Sequence, residues 1–342
     1  MATNKKRGLQ TVSFINPPVI SSWASIVGPK EGEGPWVNDF DWVLENINFG
    51  ENTFEKAESK MIREVVKLAL SKIELKPVDA ELLLAGDLLN GLPSSNYAAR
   101  ELQVPFFGLY GSSSTMAEAI INGSMLVDGG FYERIISATG SHHYSVEKQF
   151  GHSAEQSRKT LSTSQWLTTG AGAVVLESSG IGPRITCATI GKVVDMEQYD
   201  INDLGSAISP AAADTIRMHF SDTNRSPNYY DLILTGDLGK FGTVLIKEFF
   251  IKYGITPEPN FSDCGVLMYR DKQDIEAGGT GCGCSAAMFC GPIMRKVSGG
   301  EINKLLFVGT GALISKEAYM QGETIPGIAH AIAIENDLFT TV

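Results

Sequence analysis

The sequence predicts an α/β protein of two similar halves, with mostly mixed or parallel sheets sandwiching buried helices, and three matched pairs of segments predict it. Leu82–Leu88 and Leu232–Leu238 are short apolar runs closed by Gly-Asp-Leu, the pattern of a strand buried on both faces that ends in a turn. Gly111–Ala117 and Gly281–Ala287 are small-residue turns leading into helix-like segments, and Arg134–Gly140 and Lys304–Gly311 are strand-like runs ending in Thr-Gly. The three offsets are 150, 170 and 171 residues, which places 20 extra residues between Asp237 and Gly281.

The elements follow in order. Gly28–Gly50, with Trp36, Trp42 and several Gly and Pro, reads as a loop-like insertion over an edge or cleft. Helical spacing covers Thr53–Ile73, Asn96–Gln103 and Met116–Leu126 in the first half, then Pro210–Phe220, Val244–Tyr253 and Ala286–Val297 in the second. Thr115 and Glu118 fit a capping box at the start of the third helix. Strands alternate with these helices, and parallel neighbours need such crossovers. Late strands, Ala171–Glu177 and Ile328–Glu335, close the halves. Ser178–Arg184 reads as a linker, so the halves are expected at 1–180 and 181–342, with Asn336–Val342 as a tail.

Composition excludes several classes. The chain has 342 residues, 43% of them hydrophobic, enough for two domain-sized cores. Thirty-nine acidic against 28 basic residues give a net charge of −11, the wrong sign for a phosphate backbone, so nucleic acid is not an expected partner. No apolar run approaches the roughly 18 residues of a spanning helix, and Pro17-Pro18 interrupts the stretch after Lys5-Lys6-Arg7, so neither signal peptide nor transmembrane anchor is expected. Cys187, Cys264, Cys282, Cys284 and Cys290 form no CxxC pair and have no nearby His for a zinc set, which predicts reduced thiols and no metal site.

Residues that could carry chemistry cluster at strand ends and turns. The two small-residue turns open onto helices, where free N–H groups and the helix dipole favour an anion, although close packing alone would also select small residues. His142 and His143 follow a strand end, where parallel sheets place ligand-binding loops. His219 and His330 read as structural, and the orientation of His152 is not legible. Asp87 and Asp237 each follow a buried strand; they either cap the next turn or project into the cleft between halves. An ionised pair would repel a dianion, so one must be neutral or turned away.

This succession of strand, helix, strand, small-residue turn and buried helix, twice over, resembles the thiolase fold. Phe107–Thr115, Glu147–Phe150, Ser164–Trp166 with Thr169–Ala173, Tyr230–Gly239, and Asp263–Gly265 through Ala277–Ser285 more narrowly resemble the stage V sporulation protein AD family of endospore-forming bacteria, over about residues 80 to 315. In condensing thiolase relatives the first-half turn carries a Cys nucleophile; here Ser113 stands there. Relatives with a His after the strand ending Leu234-Thr235 are matched by Gly236-Asp237, so the usual base is missing, and Cys282-Gly283-Cys284 occupies the third functional position.

The resemblance implies a protein without enzymatic cofactor that binds dipicolinic acid (pyridine-2,6-dicarboxylate), free or as a calcium chelate, for uptake into the forespore or release. Asp87, Ser112, Ser113, Ser114, His142, His143, Asp237, Cys282 and Cys284 are its candidate contacts. It further implies a soluble or peripheral location at the inner spore membrane, membrane-embedded partners from the same operon, and a homodimer. The enzymatic alternative is an acyltransferase acting on a thioester, with Ser113 or Cys284 as nucleophile and His142 or His143 as base. A surface-only scaffold is the third expectation.

Overall fold

The computed structural model describes residues 4–149, 161–256 and 259–336. The first half runs β1 (Val19–Val27), α1 (Phe54–Ser71), β2 (Leu82–Gly86), α2 (Pro93–Leu102), β3 (Phe106–Gly108), α3 (Thr115–Asp128), β4 (Arg134–Ser141), α4 (His143–Gln149) and β5 (Gly170–Glu177). The second runs β6 (Arg184–Ile190), α5 (Leu204–Thr223), β7 (Leu232–Thr235), α6 (Gly239–Lys252), β8 (Phe261–Asp263), α7 (Cys282–Met288), β9 (Lys304–Ala312) and β10 (Gly327–Glu335).

The strand order is β3-β2-β4-β5-β1 in one half and β8-β7-β9-β10-β6 in the other, the same path twice. The two sheets join along β1 and β6, where Val19 pairs with Arg184. In each half the middle strand is parallel to the strand next to the edge strand, β2 or β7 (Leu82 opposite Ile135, Leu232 opposite Leu305), and antiparallel to the late strand (Arg134 opposite Glu177, Lys304 opposite Glu335). Both sheets are therefore mixed.

Side-chain alternation along the strands sorts the cores. On β5, Val174 and Leu176 face the central layer while Ala171, Ala173 and Val175 face α1; on β10, Ile332 and Ile334 face the centre while Ala329, Ala331 and Ala333 face α5. Helices α3 and α7 fill the layer between the sheets, and small residues let them approach: a Cβ on Gly309 would lie 2.5 Å from the Cβ of Ala117, and one on Gly172 would lie 2.4 Å from the carbonyl oxygen of Ala286. α1 buries Met61, Ile62, Val65, Val66, Ala69 and Leu70 at helical spacing. Each large side chain among them contributes about 1.5–3 kcal/mol.

Several local expectations shift. α5 begins at Leu204, not Pro210, because Asp203 supplies the cap: its carboxylate accepts from the Ser206 N–H at 3.2 Å, and Pro210 lies inside the helix. α7 continues through a π-helical turn, Phe289–Ile293, that accommodates Pro292, into Met294–Ser298. The capping box at α3 does not form. Thr115 Oγ1 instead accepts from the Gly111 N–H at 3.0 Å and donates to the Ser112 carbonyl at 2.6 Å, and Glu118 Oε2 is buried without a partner among the described residues.

The Gly28–Gly50 insertion is more than a loop. It holds a helical turn at Pro29–Gly32, and Trp42–Val43 pairs with the end of β1. Its side chains reach across to the second half: Trp36 Nε1 donates to the Leu267 carbonyl at 2.9 Å, and Arg295 donates to Asp39 and Asp41. Asn336, expected in the tail, is buried and donates to the Val297 carbonyl; the rest of that tail and His152 lie outside the described residues.

Candidate functional site

A cavity of about 90 Å³ lies where the two halves meet, several times the roughly 10–15 Å³ that one water needs. From the first half, the turn before α3 contributes Tyr110, Ser112 and Ser113, and α4 contributes Val146 and Glu147. From the second half come Asp237 after β7, Thr280 and Gly281 before α7, Ile201 to Ile208 around the start of α5, and Ala312 and Ile314 after β9. The lining is apolar at Leu88, Leu167, Leu204 and Ile208 and carries hydroxyls at Tyr110, Ser112, Ser113, Ser164 and Thr280.

The turn is held open by its own bonding. Ser112 sits in the left-handed region at φ +53°, a strained conformation for a residue with a side chain. Ser114 donates to the Gly111 carbonyl at 2.7 Å, which ties its hydroxyl into the turn, while Ser112 and Ser113 remain on the cavity wall. Gly311 makes the close approach of β9 possible: a Cβ there would lie 2.6 Å from the Gly111 carbonyl oxygen and 3.1 Å from the Ser113 nitrogen.

Asp237 is the hub of the polar lining. Its carboxylate accepts from Thr310 Oγ1 at 2.6 Å, from Thr280 Oγ1 at 2.7 Å and from the Gly281 N–H at 3.1 Å, and Ser113 lines the same cavity. Burial nevertheless pushes its carboxyl above the usual range, against those hydrogen bonds. Beside it, Gln165 Nε2 donates to the carbonyls of Asp237 and Gly279, both at 2.8 Å, which ties Gln165 to Asp237. Gln165 Oε1 and Ser164 Oγ are buried on the cavity wall without a partner among the described residues, two polar atoms that a ligand could satisfy.

The other sequence-predicted residues are placed elsewhere. Asp87 accepts from the Leu89 N–H and from the Ser95 N–H and hydroxyl, so it holds its own turn and the start of α2. His142 is buried, stacked on Phe54, with Nε2 2.9 Å from the Ile47 carbonyl and Nδ1 accepting from the Tyr144 N–H; burial holds it below the ordinary imidazole range. His143 stacks on Trp166 at 3.8 Å and bonds the Leu167 carbonyl through Nδ1. Cys282 lies behind the wall with Leu88, Val146 and Leu167, and Cys284 lies in the central core. Burial pushes both thiols well above their ordinary range, which disfavours a thiolate. His219 and His330, held down to about 3 and about 4 by burial, bond to Thr189 and Tyr230 and to the Gly191 N–H respectively.

The structure thus brings Ser112, Ser113 and Asp237 together, and leaves Asp87, Ser114, His142, His143, Cys282 and Cys284 off the cavity wall. Tyr110, Gln165 and Thr280 stood inside the family-like motifs without an assigned role. Ile201, Asn202, Leu204 and Ile208 carried no signal in the sequence, because an apolar helix start looks the same whether it lines a core or a cavity. No group of three or more metal-ligating side chains occurs among the described residues, and none of their helices is long and apolar enough to cross a membrane.

A family model described as stage V sporulation protein AD matches residues 8–335. The chain is 41% identical over 331 residues to stage V sporulation protein AD of Bacillus subtilis (strain 168), covering 97% of this chain and 98% of that protein. Among solved structures it is similar to 3-oxoacyl-[acyl-carrier-protein] synthase III from Aquifex aeolicus VF5, with a TM-score of 0.59 at 14% identity over 93% of this chain and 99% of that one. It is also similar to a variant of OleA from Xanthomonas campestris, with a TM-score of 0.58 at 13% identity over 94% and 99%. These likenesses show a thiolase-like fold.

Proposed function

The chain belongs to the stage V sporulation protein AD family, and from that premise we propose that it is a carrier that binds dipicolinic acid in the cavity between its halves. Ser112, Ser113 and Asp237, brought from the two halves onto one cavity lining with the Ser164 hydroxyl, which has no partner among the described residues and can donate to a carboxylate, support this reading most. A flat aromatic diacid would lay its ring along Leu88, Leu167 and Ile208 and set one carboxylate on the hydroxyls of Ser112 and Ser113. Repulsion is limited in two ways: Asp87 is turned into its own loop, and burial favours the neutral form of Asp237.

The same reading makes the protein a soluble or peripheral component at the inner spore membrane. There it would act as a homodimer beside membrane-embedded proteins of its operon and take up dipicolinate, free or as its calcium chelate, for passage into or out of the forespore. The fold's condensation chemistry is not part of this function: Ser113 stands in place of a thiol, and its carboxylate neighbour is already engaged by three other donors.

Calorimetric titration with dipicolinate, with and without calcium, beside benzoate and an acetyl thioester, tests the proposal when followed by intact-mass measurement. Saturable heat with dipicolinate and no change in mass is the expected result. An acyl adduct on Ser113 would replace it with acyl transfer, and absence of dipicolinate heat would overturn it.

A further inference from the structure

Two loops of the second half run side by side at the mouth of the cavity. One follows β6 and leads into α5, residues 191–203; the other follows β9 and leads into β10, residues 313–326. Val194 and Gly327 exchange backbone hydrogen bonds at 2.9 and 2.8 Å, Ile325 N–H donates to the Gln198 carbonyl at 2.7 Å, and the Thr324 hydroxyl donates to Asp195. Each loop also lines the cavity, through Ile201 and Asn202 on one side and Ile314 on the other.

Their outer surface is apolar in a way the fold does not require. Met196 is 60% exposed, Tyr199 57% and Met320 74%, with Val193 and Tyr319 also exposed beside them. Single exposed apolar residues are common, but here five fall on two loops that hydrogen-bond to each other. Methionine and tyrosine are enriched where proteins bind proteins, because the thioether adapts and the phenol offers both an apolar face and a polar tip. The charge on these loops is one-sided: Asp195, Glu197, Asp200, Asp203, Glu317 and Glu323 against Lys192 and Lys316. An anionic lipid surface would be repelled by this rim, since lipid docking depends on clustered Lys and Arg.

We infer that these two loops are the docking surface for a basic, apolar polypeptide segment of a partner protein, seated over the mouth of the cavity. The apolar centre would take the segment's hydrophobic side chains and the acidic rim its Lys and Arg, so charge complementarity selects the partner. The inference does not depend on which ligand the cavity holds.

Fluorescence anisotropy with a short helical peptide of lysine and leucine tests it, beside a glutamate and leucine counterpart and phosphatidylglycerol vesicles. The basic peptide should bind, and Met196→Ser/Tyr199→Ser/Met320→Ser should weaken it by about tenfold or more. A control pair on the exposed face of α6, Val244→Ser/Ile251→Ser, should leave it within about twofold. If the triple variant fails to fold, the exposed charge reversal Glu197→Lys/Glu323→Lys carries the same expectation. Equal loss in the α6 control, equal binding of the acidic peptide, or binding to the vesicles in place of the peptide would overturn the inference.

Discussion

The phenol of Tyr269 donates to Glu31 at 2.6 Å, joining the first-half insertion to the second half inside the protein. Glu31 also accepts from the Thr169 N–H at 3.1 Å, and Tyr269 lies 3.1 Å from the Thr168 hydroxyl, so four residues from three distant stretches share one buried network. Tyr269→Phe removes the shared proton and leaves a buried carboxyl short of a donor. It should lower stability by about 1–3 kcal/mol, read as a shift of the urea unfolding midpoint with unchanged slope.

If the cavity takes dipicolinate as proposed, Ser113 should separate steric from polar contributions to its binding. Ser113→Leu fills the cavity and should abolish the calorimetric signal while the far-ultraviolet circular dichroism stays that of the folded protein. Ser113→Ala removes only the hydroxyl and should weaken binding by about tenfold or less. Full affinity in the Leu variant would move the site elsewhere.

Gly311→Ala is expected to act on both halves at once. The added Cβ would press on the Gly111 carbonyl oxygen at 2.6 Å and the Ser114 nitrogen at 3.0 Å, neither of which can give without moving the turn. Destabilisation of about 1–3 kcal/mol should follow, together with weaker binding of the proposed ligand, dipicolinate, as the turn carrying Ser113 shifts. Urea unfolding and titration of the same preparation check both.

Asp263 sets a pH dependence. Its carboxylate accepts from the Thr235 hydroxyl and from the N–H groups of Leu238, Gly239 and Val266, yet burial pushes its pKa up to about 7. A carboxyl raised in the folded state contributes stability that is complete below its unfolded value of about 3.9 and is lost as pH rises through 7. The unfolding midpoint should therefore fall between about pH 5 and about pH 8, and Asp263→Asn should flatten that fall. Glu31, Glu58, Asp87 and Asp237 are raised in the same direction by burial, so some slope will remain.

Much of the fold was legible because one buried strand of each half announces itself twice. Leu82–Gly86 and Leu232–Thr235 are apolar on both faces and end in the same Gly-Asp, and the register between the halves follows from them. The first strand of each half was missed. Val19–Val27 is broken by Ser21-Ser22 and lacks clean alternation, and Arg184–Ile190 begins where the linker was placed, with Thr and Cys in its middle. In the site, Ser113 stood out from its turn and Asp237 from its repeat. The sequence could not distinguish Asp237 from Asp87, since the same Gly-Asp-Leu ends both strands. The difference lies in the following residues: Ser95 captures Asp87, whereas the turn after Asp237 is held by Asp263, which frees Asp237 to face Thr280, Thr310 and Ser113.

The pairing of β1 with β5 sets an order of events on the ribosome. The nine residues of β1 are almost wholly apolar or small, and apart from the short contact with Trp42–Val43 their strand partner in this half is Gly170–Glu177. The 142 residues between Val27 and Gly170 take about 7–30 s to synthesise. During that interval Val19, Ile20, Ile26 and Val27 belong to a strand whose main neighbour has not yet been made. Translation speed through the first half, and any chaperone that shields an unpaired strand, should therefore decide the yield of soluble protein more than the stability of the finished fold does.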